Sequence, residues 1–150
     1  MVRHVWLAAA FAIVTVSPFI PSGASAQGTA PAAQPAAAVQ GDPAAGEKAF
    51  AVCKACHQIG PGAKIAVGPV LNGVVGRQAG TYPGYTYSAA NKNSGITWTP
   101  DELQKYLANP QGVVHGTKMA FAGYPHDPQR VNNIIAYLEQ FGPDGQKKTQ

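Results

Sequence analysis

Apolar residues recur at helical spacing near the end of this chain: Val131, Ile134, Ile135, Leu138 and Phe141 fall on one face. Asp127-Pro128 precedes them, a capping side chain followed by a proline suited to the first helical position. The spacing predicts a helix from Pro128 to Phe141, with Gly142 just past its end. The same punctuation occurs twice more. Asp42-Pro43 opens a helix running to about Cys53, in which Gly46 and Phe50 share a face. Thr99-Pro100 opens another that carries Leu103, Tyr106 and Leu107, with Glu102 completing a capping box and Asn109-Pro110 as the stop. Tyr87 to Asn93 reads as a short helix ended by Gly95.

Between these segments the polar and apolar positions lose their period. Gly60 to Gly84 is full of glycine and proline and shows no alternation, so it reads as loop. The fold class is all-α: three main helices, one short helix and long loops. So small an α-rich domain has a thin core of its own, and long loops need a large apolar body to wrap.

The N-terminal third has a different character. Arg3 and His4 precede an apolar stretch from Val5 to Val16, about the length of a signal-peptide core. Pro18 and Pro21 interrupt it, and Ala24-Ser25-Ala26 has the small-x-small form of a cleavage site. Residues 1–26 are therefore expected to be a cleaved export signal, placing the mature protein in the periplasm. An uncleaved membrane anchor is the alternative, although a spanning helix takes about 20 apolar residues. Residues 27–40, almost wholly Ala, Pro, Gln and Gly, read as a flexible linker or tail. The domain proper covers residues 41–143, and residues 144–150 form a polar tail expected to be loose.

Charge changes the picture little. The chain carries a formal net charge of +4, with no basic run and no array of stacking aromatics, which excludes nucleic acid as a partner. A slightly basic surface favours transient docking to acidic patches.

The chemistry is concentrated in Cys53-Lys54-Ala55-Cys56-His57, which holds both cysteines of the chain. Two thiols three residues apart followed at once by histidine fit c-type haem attachment: the thiols bond to the porphyrin vinyl groups and the imidazole ligates iron. A thioredoxin-like site needs a βαβ setting, a Cys53–Cys56 disulfide closes a very short loop, and a zinc site lacks two further ligands at suitable spacing. If His57 takes one axial position, the other falls to Met119, the only methionine apart from the initiator. A lone methionine is ordinarily core filler, but this one sits in a glycine-bracketed loop, Gly116 to Gly123, that can present a thioether to iron. His115, His126 and Lys118 are its rivals. Two protein ligands close the iron to oxygen, and a thioether raises its potential, so the pair describes an electron carrier rather than an enzyme.

The order of motifs resembles class I cytochrome c, in the cytochrome c2 and mitochondrial-type branch, from Gly41 to Phe141. After the haem motif come Gly68-Pro69-Val70-Leu71, Gly76-Arg77, Pro83-Gly84-Tyr85-Thr86-Tyr87, Ala90-Asn91-Lys92-Asn93, Gly95-Ile96-Thr97-Trp98, Tyr106-Leu107, Pro110, Gly116-Thr117-Lys118-Met119 and Ile135-Ala136-Tyr137-Leu138. The resemblance implies the cytochrome c fold around one covalent haem c, held by Cys53 and Cys56. Pro69 then offers its carbonyl to His57. Arg77, Tyr87 and Trp98 hold the propionates, and Asn91, Tyr106 and Thr117 form the polar network beside the sulfur of Met119. Leu71 and Phe121 cover the haem faces. Trp98 and Tyr106 also suit plain core aromatics.

Two departures stand out. Val70 replaces the usual asparagine, so the hydrogen bond it makes near the histidine is expected to be missing. The lysine ring of the family is thinned to Lys54, Lys64 and Lys118, with Lys92 and Lys105 further off. The resulting expectation is a monomeric, periplasmic, monohaem carrier of single electrons. Its partners are transient: an oxidase, reductase, reaction centre or periplasmic dehydrogenase of a respiratory or photosynthetic chain. A tethered carrier, or a haem enzyme or sensor with an open sixth site, are the alternatives.

Overall fold

The computed structural model describes residues 40–149; the expected export signal and nearly all of the Ala/Pro stretch lie outside them. Five α-helices appear in order among the described residues: α1 (Pro43–Ala49), α2 (Ala89–Lys92), α3 (Pro100–Ala108), α4 (Pro110–Val113) and α5 (Pro128–Glu139). Among the described residues, β structure is confined to two isolated bridges, Gln78 with Thr97 and Phe141 with Lys147. None of these helices is long and apolar enough to cross a membrane.

The three predicted starts form as read. The side chains of Asp42, Thr99 and Asp127 accept from the N–H groups of Ala44, Glu102 and Arg130 at 2.8, 3.2 and 2.9 Å, satisfying donors that a helix start leaves free. The capping box is half-made: Glu102 turns away from Thr99 and pairs with Lys105 at 2.6 Å. Asn109-Pro110 does more than stop α3. Asn109 Oδ1 accepts from Gly112 N–H at 3.0 Å, so the same pair opens the short α4.

Helices α1 and α5 cross at Gly46, where any Cβ would collide with the Asn133 carbonyl. Glycine is required by that close approach. It lets Phe50 reach Tyr137, with ring centroids 5.3 Å apart. The predicted stripe of α5 is buried, with Val131, Ile134, Ile135 and Leu138 at most 3% exposed. These residues join Phe50, Leu103, Tyr106, Leu107 and Trp98 in one core.

Beyond Ala49 the chain tightens into a 3₁₀ turn, Phe50–Ala55. The far end of α5 also departs from expectation. The helix stops at Glu139, and Gly142, expected at the left-handed position, instead enters a hook. Its N–H donates to the Gln146 carbonyl at 2.9 Å, and Lys148 N–H donates to Gln140 at 2.7 Å. Gly145, at φ +78°, packs against the Gly60 carbonyl and the Asn72 amide with no room for a Cβ. The tail through Lys148 is therefore folded back rather than loose, because these long-range contacts hold it.

Candidate haem site

The 3₁₀ turn arranges the chemistry of the attachment motif. The Cys53 carbonyl accepts from both Cys56 N–H (3.0 Å) and His57 N–H (2.9 Å), gathering the three side chains on one turn. Both thiols are free, so the pair is not spent on a disulfide. Burial, helped by the neighbouring Cys56, pushes the Cys53 thiol up to about 11.

His57 Nδ1 lies 2.7 Å from the Pro69 carbonyl. A carbonyl only accepts, so Nδ1 carries the proton and Nε2 keeps its lone pair. Burial lowers the imidazole below its ordinary range, the Pro69 bond opposes that, and the charge of Arg77 adds to it. The ring is thus neutral and oriented, the form that binds a metal. Gly68 leaves the space for it: a Cβ there would overlap the imidazole.

These groups open on a cavity of about 420 Å³. Every predicted site residue lines it: Cys53, Cys56, His57, Pro69, Leu71, Arg77, Tyr87, Asn91, Trp98, Tyr106, Thr117, Met119 and Phe121. Of the rivals to Met119, Lys118 lines the cavity too, whereas His115 and His126 are exposed and outside its lining. Lys118 Nζ is engaged elsewhere, donating to the Thr86 carbonyl at 3.2 Å.

Met119 is placed by a relay. Tyr106 Oη and Thr117 Oγ1 are 2.9 Å apart in the interior, and Thr117 Oγ1 accepts from Met119 N–H at 3.3 Å. Trp98 packs on Tyr106 at 4.6 Å between centroids, so both aromatics serve core and cavity at once.

The other end of the cavity is polar. Arg77 donates to the carbonyls of Asn72 and Val70 at 3.0 and 3.1 Å, and its guanidinium lies 5.0 Å from the centroid of Tyr82. Burial lowers its pKa. No carboxylate pairs with it among the described residues. Asn91 Oδ1 is buried without a partner, a situation that costs about 1–3 kcal/mol unless something meets it. An apolar slot rimmed by thiols, with imidazole and thioether on its lining and an uncompensated cation at one end, fits a haem with its carboxylates.

Sequence reasoning missed three contributors. Gly68 and Tyr85 lay inside quoted motifs but were given no role; Tyr85 Oη donates to the Val67 carbonyl at 3.0 Å. Asn72 was passed over entirely. Its side chain accepts from Gly60 N–H at 2.7 Å and donates to the Gly60 carbonyl at 3.0 Å. Val70, two residues earlier, is fully buried, so the apolar replacement joins the packing while Asn72 ties the loop.

Comparison with known proteins agrees with this geometry. The cytochrome c family profile matches residues 43–142, and the chain belongs to that family. Cytochrome c2 of Blastochloris viridis is 54% identical over 117 residues, covering 78% of this chain and 91% of that protein. Cytochrome c2 of Rhodoblastus acidophilus is 56% identical over 107 residues, 71% of this chain and 99% of that one. The solved cytochrome c2 of Rhodospirillum centenum superposes with a TM-score of 0.65 at 43% identity, over 69% of this chain and all of that one. The family is one of class I electron carriers, not enzymes, with a single covalent haem c. Within it, the cytochrome c2 branch is the one this chain is similar to.

Proposed function

We propose that this chain is a periplasmic carrier in which His57 and Met119 ligate the haem iron, exchanging single electrons with redox enzymes of a respiratory or photosynthetic chain. The observation that carries the reading is the shared cavity: the two thiols, the neutral imidazole and the only thioether in the described residues all line it, while His115 and His126 do not. Bound there through Cys53 and Cys56, a haem supplies a one-electron iron couple.

The residues do the rest. Pro69 fixes the His57 ring so that Nε2 faces the metal position. The Tyr106–Thr117 relay holds the Met119 backbone and so would keep its thioether placed for a bound haem. Arg77, Tyr87 and Trp98 offer polar atoms to the propionates, Asn91 joins Tyr106 and Thr117 beside the sulfur, and Leu71 and Phe121 shield the faces from water. Lys54, Lys64 and Lys118 give a weakly basic surface for brief encounters between a monomer and its partner.

The test is spectroscopic. The oxidised holoprotein should show a weak long-wavelength band from the sulfur–iron bond, and the reduced protein should not bind carbon monoxide. Met119→Ala should abolish the band and admit carbon monoxide. An unchanged oxidised spectrum in that variant sinks the assignment. Intact mass and cell fractionation test removal of residues 1–26: a full-length, membrane-bound product refutes the cleaved form.

A further inference from the structure

Gln111 lies in the first turn of α4 and is exposed, yet both ends of its side-chain amide are engaged. Nε2 donates to the Thr117 carbonyl at 3.1 Å, and Oε1 accepts from Gly116 N–H at 3.2 Å. Both partners belong to the loop that carries Met119. An amide has a donor end and an acceptor end, and each here meets its complement. Gly116, at φ +88°, lacks a Cβ to restrict it, and the one main-chain bond across it, Thr117 N–H to the Val114 carbonyl at 2.9 Å, closes a single turn short of Met119. Thr117 is fastened from the interior through Tyr106 and from the outside by Gln111. The two fastenings converge on the residue whose hydroxyl holds Met119 N–H.

We infer that Gln111 is a positioning residue that latches the Met119 loop, setting how readily a small nitrogenous ligand such as imidazole replaces the thioether on iron. The inference rests on the assignment of Met119 as ligand. Release of both amide bonds shifts the balance between closed and open loop by about tenfold, since each is a modest bond, the one to Gly116 exposed and the one to Thr117 part-buried. Global stability is little changed, because Gln111 is exposed and its truncation leaves no cavity.

The experiment is imidazole titration of the oxidised holoprotein, followed by absorbance, with thermal unfolding measured alongside. Gln111→Ala should raise imidazole affinity and binding rate about tenfold with an unchanged thermal midpoint. Gln111→Glu keeps the acceptor for Gly116 but loses the donor to Thr117, and should also raise both. Wild-type imidazole binding in the two variants overturns the latch. Met119→Ala separates the two ideas. If it binds imidazole tightly while the Gln111 variants behave as wild type, only the latch is wrong. If its spectrum and imidazole binding match wild type, the ligand assignment falls and the latch with it.

Discussion

The two walls of the cavity are built by different means. On the His57 side the fastenings are largely main-chain and interior. Gly68 N–H donates to the Cys56 carbonyl at 2.7 Å and Leu71 N–H to Gln58 at 2.9 Å. Asn72 makes its paired bonds to Gly60, and the C-terminal hook closes over them. On the Met119 side two main-chain bonds, Thr117 N–H to Val114 and Tyr124 N–H to Leu107, both at 2.9 Å, flank the loop, and side chains hold the rest: Tyr106 to Thr117, Gln111 to the loop backbone, and Lys118 to Thr86. A wall integrated with the core opens only when the domain unfolds, whereas one held by a few side-chain bonds can open alone at lower cost. On the proposed ligation, His57 is then the lasting ligand and Met119 the exchangeable one, although both line the same cavity.

The comparison breaks most visibly at Gly68. Gly68→Val drives a side chain into the His57 ring and should cost more than about 3 kcal/mol, read as a collapsed yield of haem-loaded protein. Near-normal yield and stability would refute the view that the His57 wall cannot give.

Asn72→Ala tests the same wall more gently. It strands the buried amide of Gly60, so unfolding in denaturant should become easier by about 2–3 kcal/mol, while imidazole binding at the iron stays as in wild type. Thr117→Val is the converse on the opposite wall. It should raise imidazole binding about tenfold or more and remove about 1–2 kcal/mol of overall stability. Matching effects of the two variants on both readouts would erase the distinction between the walls.

The smallest effect concerns alkaline pH. Burial raises the phenols of Tyr106, at the Met119 wall, and Tyr137, packed behind the cysteine turn. The folded protein keeps protons that the unfolded chain releases near pH 10, so their contribution is complete below about pH 10 and declines as pH rises above it. Thermal midpoints from pH 8 to 11 should fall over the last unit. Tyr137→Phe should flatten that fall without changing imidazole binding; an equally steep fall would remove Tyr137 from the account.

What could be read in the sequence was whatever depends on neighbours along the chain. The caps at Asp42, Thr99 and Asp127, the stripe of α5 and the spacing of Cys53, Cys56 and His57 are local, and each is found where its pattern placed it. Asn109-Pro110 carried the same start signal as the other three helices but was read only as a stop. The hook could not be read, because Gly145 finds its partners at Gly60 and Asn72, more than seventy residues away. The bonds of Asn72 span only twelve residues, to Gly60, but cross a loop with no period to announce them. Gln111 belongs to no apolar pattern at all; an exposed glutamine becomes informative only when both its ends are seen to be engaged.

Tyr85 and Thr86 belong to neither wall but are tied to both, Tyr85 to Val67 on the side of Gly68 and Thr86 to Lys118 beside Met119. Two adjacent residues therefore act as a spacer of set length between them. Neither belongs to the buried core, and one residue inserted there would let the span grow by up to about 3.5 Å. The separation of the two walls at this point is thus bridged by chain length in one loop, through bonds that lie outside the packed core.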